Sequence, residues 1–109
     1  MRQVLISEEC FSFIESNLTI KKKFQYLLQI LIEQKVVHSD IIKKLTGTPF
    51  YELRIKVNQE YRIILISYEN QNFVESTKVV LLNGFIKKST KDYRMAIETA
   101  YNLIEKYKI

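Results

Sequence analysis

Two stretches of this chain are apolar on both faces of an extended backbone, and they limit the possible folds more than any other feature. In "YRIILISY", residues 61–68, Tyr61, Ile63 and Leu65 fall on one face and Ile64 and Ile66 on the other. "KVVLLNGF", residues 78–85, reads the same way. A strand with no polar face has to be covered on both sides, so each stretch predicts a central strand of a sheet. "YELRIKV", residues 51–57, alternates instead. Leu53, Ile55 and Val57 oppose Glu52, Arg54 and Lys56, the pattern of a half-buried strand.

Before Pro49 the period is helical. "QVLIS" is a short strand candidate ending at Ser7, which can cap a helix whose first turn, Glu8-Glu9, suits the positive end of the dipole. Phe11, Ile14 and Leu18 line one face of that helix. Thr19 reads as a second cap, followed by a stripe of Ile20, Phe24, Leu27, Leu28, Leu31 and Ile32 that predicts an amphipathic helix ending near Lys35. Ser39-Asp40 predicts a short helical turn with Ile41, Ile42 and Leu45 inward, closed by Gly47 and Pro49. "ENQNFVEST" is a polar connector. A last helix is expected from Asp92 to Lys106, with Tyr93, Ile97, Ala100, Tyr101, Ile104 and Tyr107 on its buried side.

The expected fold is therefore α+β. An N-terminal strand and a three-strand meander form a small, antiparallel-rich sheet, packed with two N-terminal helices and a C-terminal helix. At 109 residues the chain suits one domain, residues 1–109. No window approaches the apolar length of a membrane span, and "MRQVLISEEC" meets acid before any signal-like core develops. A lone cysteine excludes an internal disulfide and a cysteine-based zinc cluster. A cytoplasmic protein is expected.

Most familiar catalytic equipment is missing. His38 is the only histidine and sits in a loop, where an exposed polar role is expected. Cys10, on an amphipathic helix, should be a packed small hydrophobe. There is no glycine-rich phosphate loop and no nucleophile elbow. Lys21-Lys22-Lys23 reads as a solvated helix face, and the aromatic residues as core.

The net charge of +5 is concentrated between Lys43 and Arg94, where ten basic residues face five acids. Within that stretch Arg54, Arg62, Lys87, Lys88 and Lys91 could bind phosphate. Arginine offers a permanently charged fork, and a lysine crowded by cations can move protons near neutral pH. Five basic residues on a sheet are more often a solvent-facing surface. The loop after Val57 separates the two readings. A two-residue loop would put Arg54 and Arg62 on opposite faces. A three-residue loop, with Asn58 at positive φ, would set them directly opposite one another and pair Lys56 with Glu60. Such a pair repels unless an anion sits between them. "NG" at 83–84 is often a hairpin turn, but "FIKKSTK" does not return as a strand. Gly84 is therefore expected at a bulge or close approach that turns the strand end towards a site.

"ELR" at 52–54, "YRI" at 61–63 and "GFIKK" at 84–88, followed by a closing helix, resemble the RelE/ParE superfamily of type II toxins, in its phage-derived, HigB-like branch. The likeness spans about residues 45 to 105. It implies a small sheet flanked by helices and a cytoplasmic toxin neutralised by a cognate antitoxin. The implied activity is a ribosome-dependent endoribonuclease that cuts mRNA without a metal or other cofactor. Operator DNA would be met only through the antitoxin complex. The resemblance places Arg54, Arg62, Lys87 and Lys88 in the catalytic site. Lys43, Lys44, Lys56, Lys91 and Arg94 join on charge as candidate RNA contacts. The chain departs from the pattern at Asn83, where histidine or glycine is usual, and at Asp92-Tyr93, where proline is common after the lysines. The acid/base group stays unassigned. A gyrase-inhibiting ParE-like toxin and an inactive antitoxin-binding module are the alternatives.

Overall fold

The computed structural model describes residues 1–70 and 72–109. Within it the chain forms β1 (Gln3–Ile6), α1 (Glu8–Ser16), α2 (Lys21–Glu33), β2 (Ile42–Lys44), β3 (Phe50–Val57), β4 (Gln59–Ser67), β5 (Lys78–Ile86) and α3 (Thr90–Tyr107). The strands make one mixed sheet in the order β1-β5-β4-β3-β2, with β1 parallel to β5 and the other pairs antiparallel. This is the expected α+β architecture, with one strand more than the sequence suggested. No helix is long and apolar enough to cross a membrane among the described residues.

The two-faced strands lie inside the sheet, as their composition requires. Tyr61, Ile63 and Leu65 of β4 join Val79 and Leu81 of β5 in a core closed by Cys10, Ile14, Phe24, Leu27 and Leu31 of α1 and α2. Ile64, Val80 and Leu82 point the other way, into a second core under Ala96, Ala100 and Leu103 of α3. The sheet is thus covered by α1 and α2 on one face and by α3 on the other.

Several expectations shift. Residues 42–44 are not helical. They fold back on β3, with Ile42 opposite Leu53 and Lys44 opposite Tyr51, around a loop in which Gly47 takes φ 81°. A three-residue strand is too short to show a period of two. Thr19 caps nothing. It lies in a 3₁₀ turn, Leu18–Ile20, that leads straight into α2. The end of α2 is at Glu33, not Lys35, and its last carbonyls are taken by Arg2. The inward face of α1 is Cys10 and Ile14, so Phe11 and Leu18 are exposed. Helix α3 begins two residues early, because the Asp92 carboxylate accepts from the backbone N–H of Ser89 and Lys88 at 2.8 Å and closes its first turn. Its buried stripe is Ala96, Ala100 and Leu103, while Tyr101 and Tyr107 remain partly exposed. In the polar connector, Gln71 lies outside the described residues.

Candidate functional site

The loop between β3 and β4 has the odd length that a two-arginine site needs. Asn58 takes φ 64°, Lys56 pairs with Glu60, and Arg54 stands directly opposite Arg62. Both arginines lie on the α3 face, in line with Glu52 on β3 and Ile64 on β4.

Strand β5 completes the arrangement through a bulge. Ile64 pairs with Asn83 but Leu65 pairs with Leu81, so Leu82 is the extra residue. The bulge reverses the alternation beyond it. Asn83 and Phe85 face α3, with Phe85 opposite Arg62, and Gly84 turns to the α1 face. Lys87, whose N–H donates to the Glu60 carbonyl at 2.8 Å, follows Phe85 onto the arginine face. Without the extra residue it would point away. Ser7 fixes the device: its hydroxyl donates to the Leu82 carbonyl and accepts from the Cys10 N–H at 3.0 Å. Gly84 is needed because the Phe13 ring packs against it. A Cβ there would sit 2.2 Å from Cδ2 of that ring. The bulge expected near "NG" is therefore present, with the ring of Phe13 making the close approach.

Three residues at the site were not singled out by sequence reasoning. Glu52, read as the polar face of a half-buried strand, has a side chain only 1% exposed. Its Oε1 accepts from Arg54 Nε at 2.7 Å and lies 3.6 Å from Arg62 Nε. It is the anion that lets two arginines stand opposite one another. Its Oε2 has no hydrogen-bond partner among the described residues. Glu60 accepts from Arg62 Nη2 at 3.0 Å, and Arg62 holds its carboxyl below the usual range. Tyr93, expected in the core, has its hydroxyl 3.1 Å from Arg62 Nε and its ring edge-on to Phe85 at 5.2 Å. Burial first, and then the Glu52 carboxylate, raise its pKa, so the phenol stays protonated. On Arg62, burial works against the charge but is outweighed by the bonds to Tyr93 and Glu60, and its pKa is raised. A signal was available, since an acid stands two residues before each arginine, in Glu52-Leu53-Arg54 and Glu60-Tyr61-Arg62. At strand period that puts both on one face.

The remaining candidates divide. Lys56 is 81% exposed beside Glu60, at 3.9 Å. Lys43 stands opposite Glu52 at the sheet edge. Lys44 points to the other face, over the Tyr51 ring and against the Thr48 carbonyl, away from the arginines. Lys88, Lys91 and Arg94 are exposed around the start of α3. Among the described residues, neither they nor Lys87 make an ion pair. Cys10 is fully buried and burial pushes its thiol up to about 12, which makes it inert. His38 is exposed, and its ring accepts from the Asp40 N–H at 3.0 Å. No group of three or more His, Cys, Asp or Glu able to hold a metal ion occurs among the described residues.

A family model described as "Phage derived protein Gp49-like (DUF891)" matches residues 14–105. The chain belongs to the phage-derived Gp49-like family. This family is toxin-like and related to the RelE/ParE type. No curated protein matches the chain significantly. The matched span takes in the end of α1, all of α2 and β2 to β5, and α3 as far as Glu105, and so every residue of the arginine face.

Proposed function

We propose that this Gp49-like chain is the toxin of a type II toxin–antitoxin pair, of the HigB-like branch, and that it cuts messenger RNA on the ribosome. The observation that carries the reading is the bulge in β5. It brings Lys87 onto the face where Arg54 and Arg62 are opposed. A solvated charged surface needs no such reversal.

The chemistry follows from the groups. RNA breaks when its own 2'-hydroxyl loses a proton, attacks phosphorus and expels the 5'-oxygen, leaving a cyclic phosphate. Arg62 and Arg54 hold the scissile phosphate and its neighbour and stabilise the charge that builds up on them. Lys87 or Lys88 takes up proton transfer or the charge on the departing oxygen. The Tyr93 hydroxyl, kept protonated beside Arg62, is suited to donate to that oxygen. Lys43, Lys56, Lys91 and Arg94 surround this centre as RNA contacts. Lys44 has no part in it. A cognate antitoxin is the expected partner, and the cytoplasm the expected compartment.

Induced expression of the wild type beside Arg62→Ala and Lys87→Ala/Lys88→Ala, with 5'-end mapping of cellular mRNA, tests the reading. Growth arrest with cuts inside translated codons, reduced at least about a hundredfold in stable variants, is expected. Arrest without mRNA cuts moves the assignment to gyrase inhibition, which a supercoiling assay then reads directly. The enclosure of Arg62 by Glu52 and Glu60 favours a second reading, an inactive antitoxin-binding module. Absence of arrest from soluble, folded protein would support it.

A further inference from the structure

Arg62 has its charge masked by the protein itself. Nε donates to the Tyr93 hydroxyl at 3.1 Å, Nη1 to the Tyr61 carbonyl at 3.3 Å and Nη2 to Glu60 Oε1 at 3.0 Å, and its side chain is 5% exposed. Two of these acceptors cannot leave without rebuilding the fold. The Tyr61 carbonyl belongs to β4, and Tyr93 is anchored on α3 against Phe85. Glu52, the other nearby anion, is buried at the centre of the sheet. Glu60 is different. It lies two residues beyond the Asn58 turn with its side chain 37% exposed, and its second oxygen lies 3.9 Å from Lys56 Nζ.

We propose that Glu60 is an internal competitor for the anion-binding position on Arg62. A phosphodiester oxygen of the substrate replaces the Glu60 carboxylate on Nη2, and Glu60 turns out to solvent. This rests on the phosphate-binding reading of the arginine face given above. A carboxylate oxygen and a phosphate oxygen are equivalent acceptors for a guanidinium N–H, so one can stand where the other stood. The incoming phosphate oxygen keeps the buried guanidinium paired while the partly exposed Glu60 carboxylate passes to water, so the exchange costs little once the phosphate is held by other contacts. A lone passing anion lacks those contacts and does not dislodge the carboxylate. Glu60 therefore lowers affinity for polyanions in general and reserves Arg62 for a strand already seated on Lys87 and Arg54.

The test is the binding of a short fluorescein-labelled single-stranded oligodeoxyribonucleotide, which has phosphodiesters but no 2'-hydroxyl to be cut. Wild type is compared with Glu60→Gln and with Glu75→Gln. Glu75 precedes β5 at the end remote from Arg62, so its loss removes the same charge without touching the site. Glu60→Gln is expected to bind about threefold to tenfold tighter than wild type, and Glu75→Gln within about twofold of it. The same gain is expected for Lys56→Ala/Glu60→Gln over Lys56→Ala, because the freed group is Arg62. Equal affinities for the Glu60 and Glu75 variants overturn the proposal. So does a gain that vanishes in the Lys56→Ala background. No binding by any of these folded proteins overturns the phosphate-binding reading itself.

Discussion

Arg2 does at the far end of the sheet what no other side chain could do. Its Nε donates to the Ser76 carbonyl, Nη1 to those of Leu31 and Gln34, and Nη2 to those of Lys35 and Phe73, at 2.6 to 3.1 Å. The guanidinium also stacks 4.0 Å over the Phe73 ring. All five donors are used, so the planar fork ties the end of α2 to the segment before β5. Arg2→Lys keeps the charge but offers three donors from one point, which cannot reach five carbonyls spread around a plane. We expect it to cost about 2–3 kcal/mol in denaturant unfolding, with activity per folded molecule unchanged. A loss below about 0.5 kcal/mol would mean that water replaces the fork without penalty.

The bulge in β5 is where packing and the site meet. Gly84→Ala forces a Cβ into the Phe13 ring and is expected to destabilise by about 1–3 kcal/mol. Combining it with Phe13→Val removes the obstacle, so the double variant should lose less than the sum of the single losses in a thermodynamic cycle. Additive losses would show that the glycine is needed for its backbone alone. How much of this was legible follows from the same elements. The opposition of Arg54 and Arg62 could be reduced to the length of one loop, because strand register is discrete and Asn58 tolerates positive φ. The inner positions of β4 and β5 were legible because an all-apolar strand has nowhere else to go. The burial of Glu52 was not, since period two separates faces without saying which face a later helix will cover. It is α3, nearly forty residues on, that closes over it. Strand β2 escaped because three residues carry no period.

Across the whole molecule, side-chain bonds join helices that lie on opposite faces of the sheet. Glu9 on α1 accepts from Lys106 Nζ at 2.6 Å and from the Tyr107 hydroxyl at 2.5 Å, at the end of α3. These bonds, Lys106 first, hold the Glu9 carboxyl at about 2, against an ordinary 4.5. A depressed carboxylate pKa contributes stability that is present above the ordinary value and is lost as pH falls through the folded one. Wild type should therefore melt higher than Glu9→Gln near pH 6, and the gap should close between about pH 5 and pH 2. Melting curves that stay parallel over that range would show the clamp to be without effect. The order of the strands has a consequence in time. The first strand has its only strand partner among the described residues in β5, where Gln3 meets Lys78. Lys87 and Tyr93 come later still. A chain growing from its amino end can pair Arg54 with Arg62 early, but the face under α1 and α2 waits for β5 and the opposite face waits for α3. A translation product truncated before α3 therefore holds the arginine pair without the Tyr93 hydroxyl and with one face of the sheet uncovered.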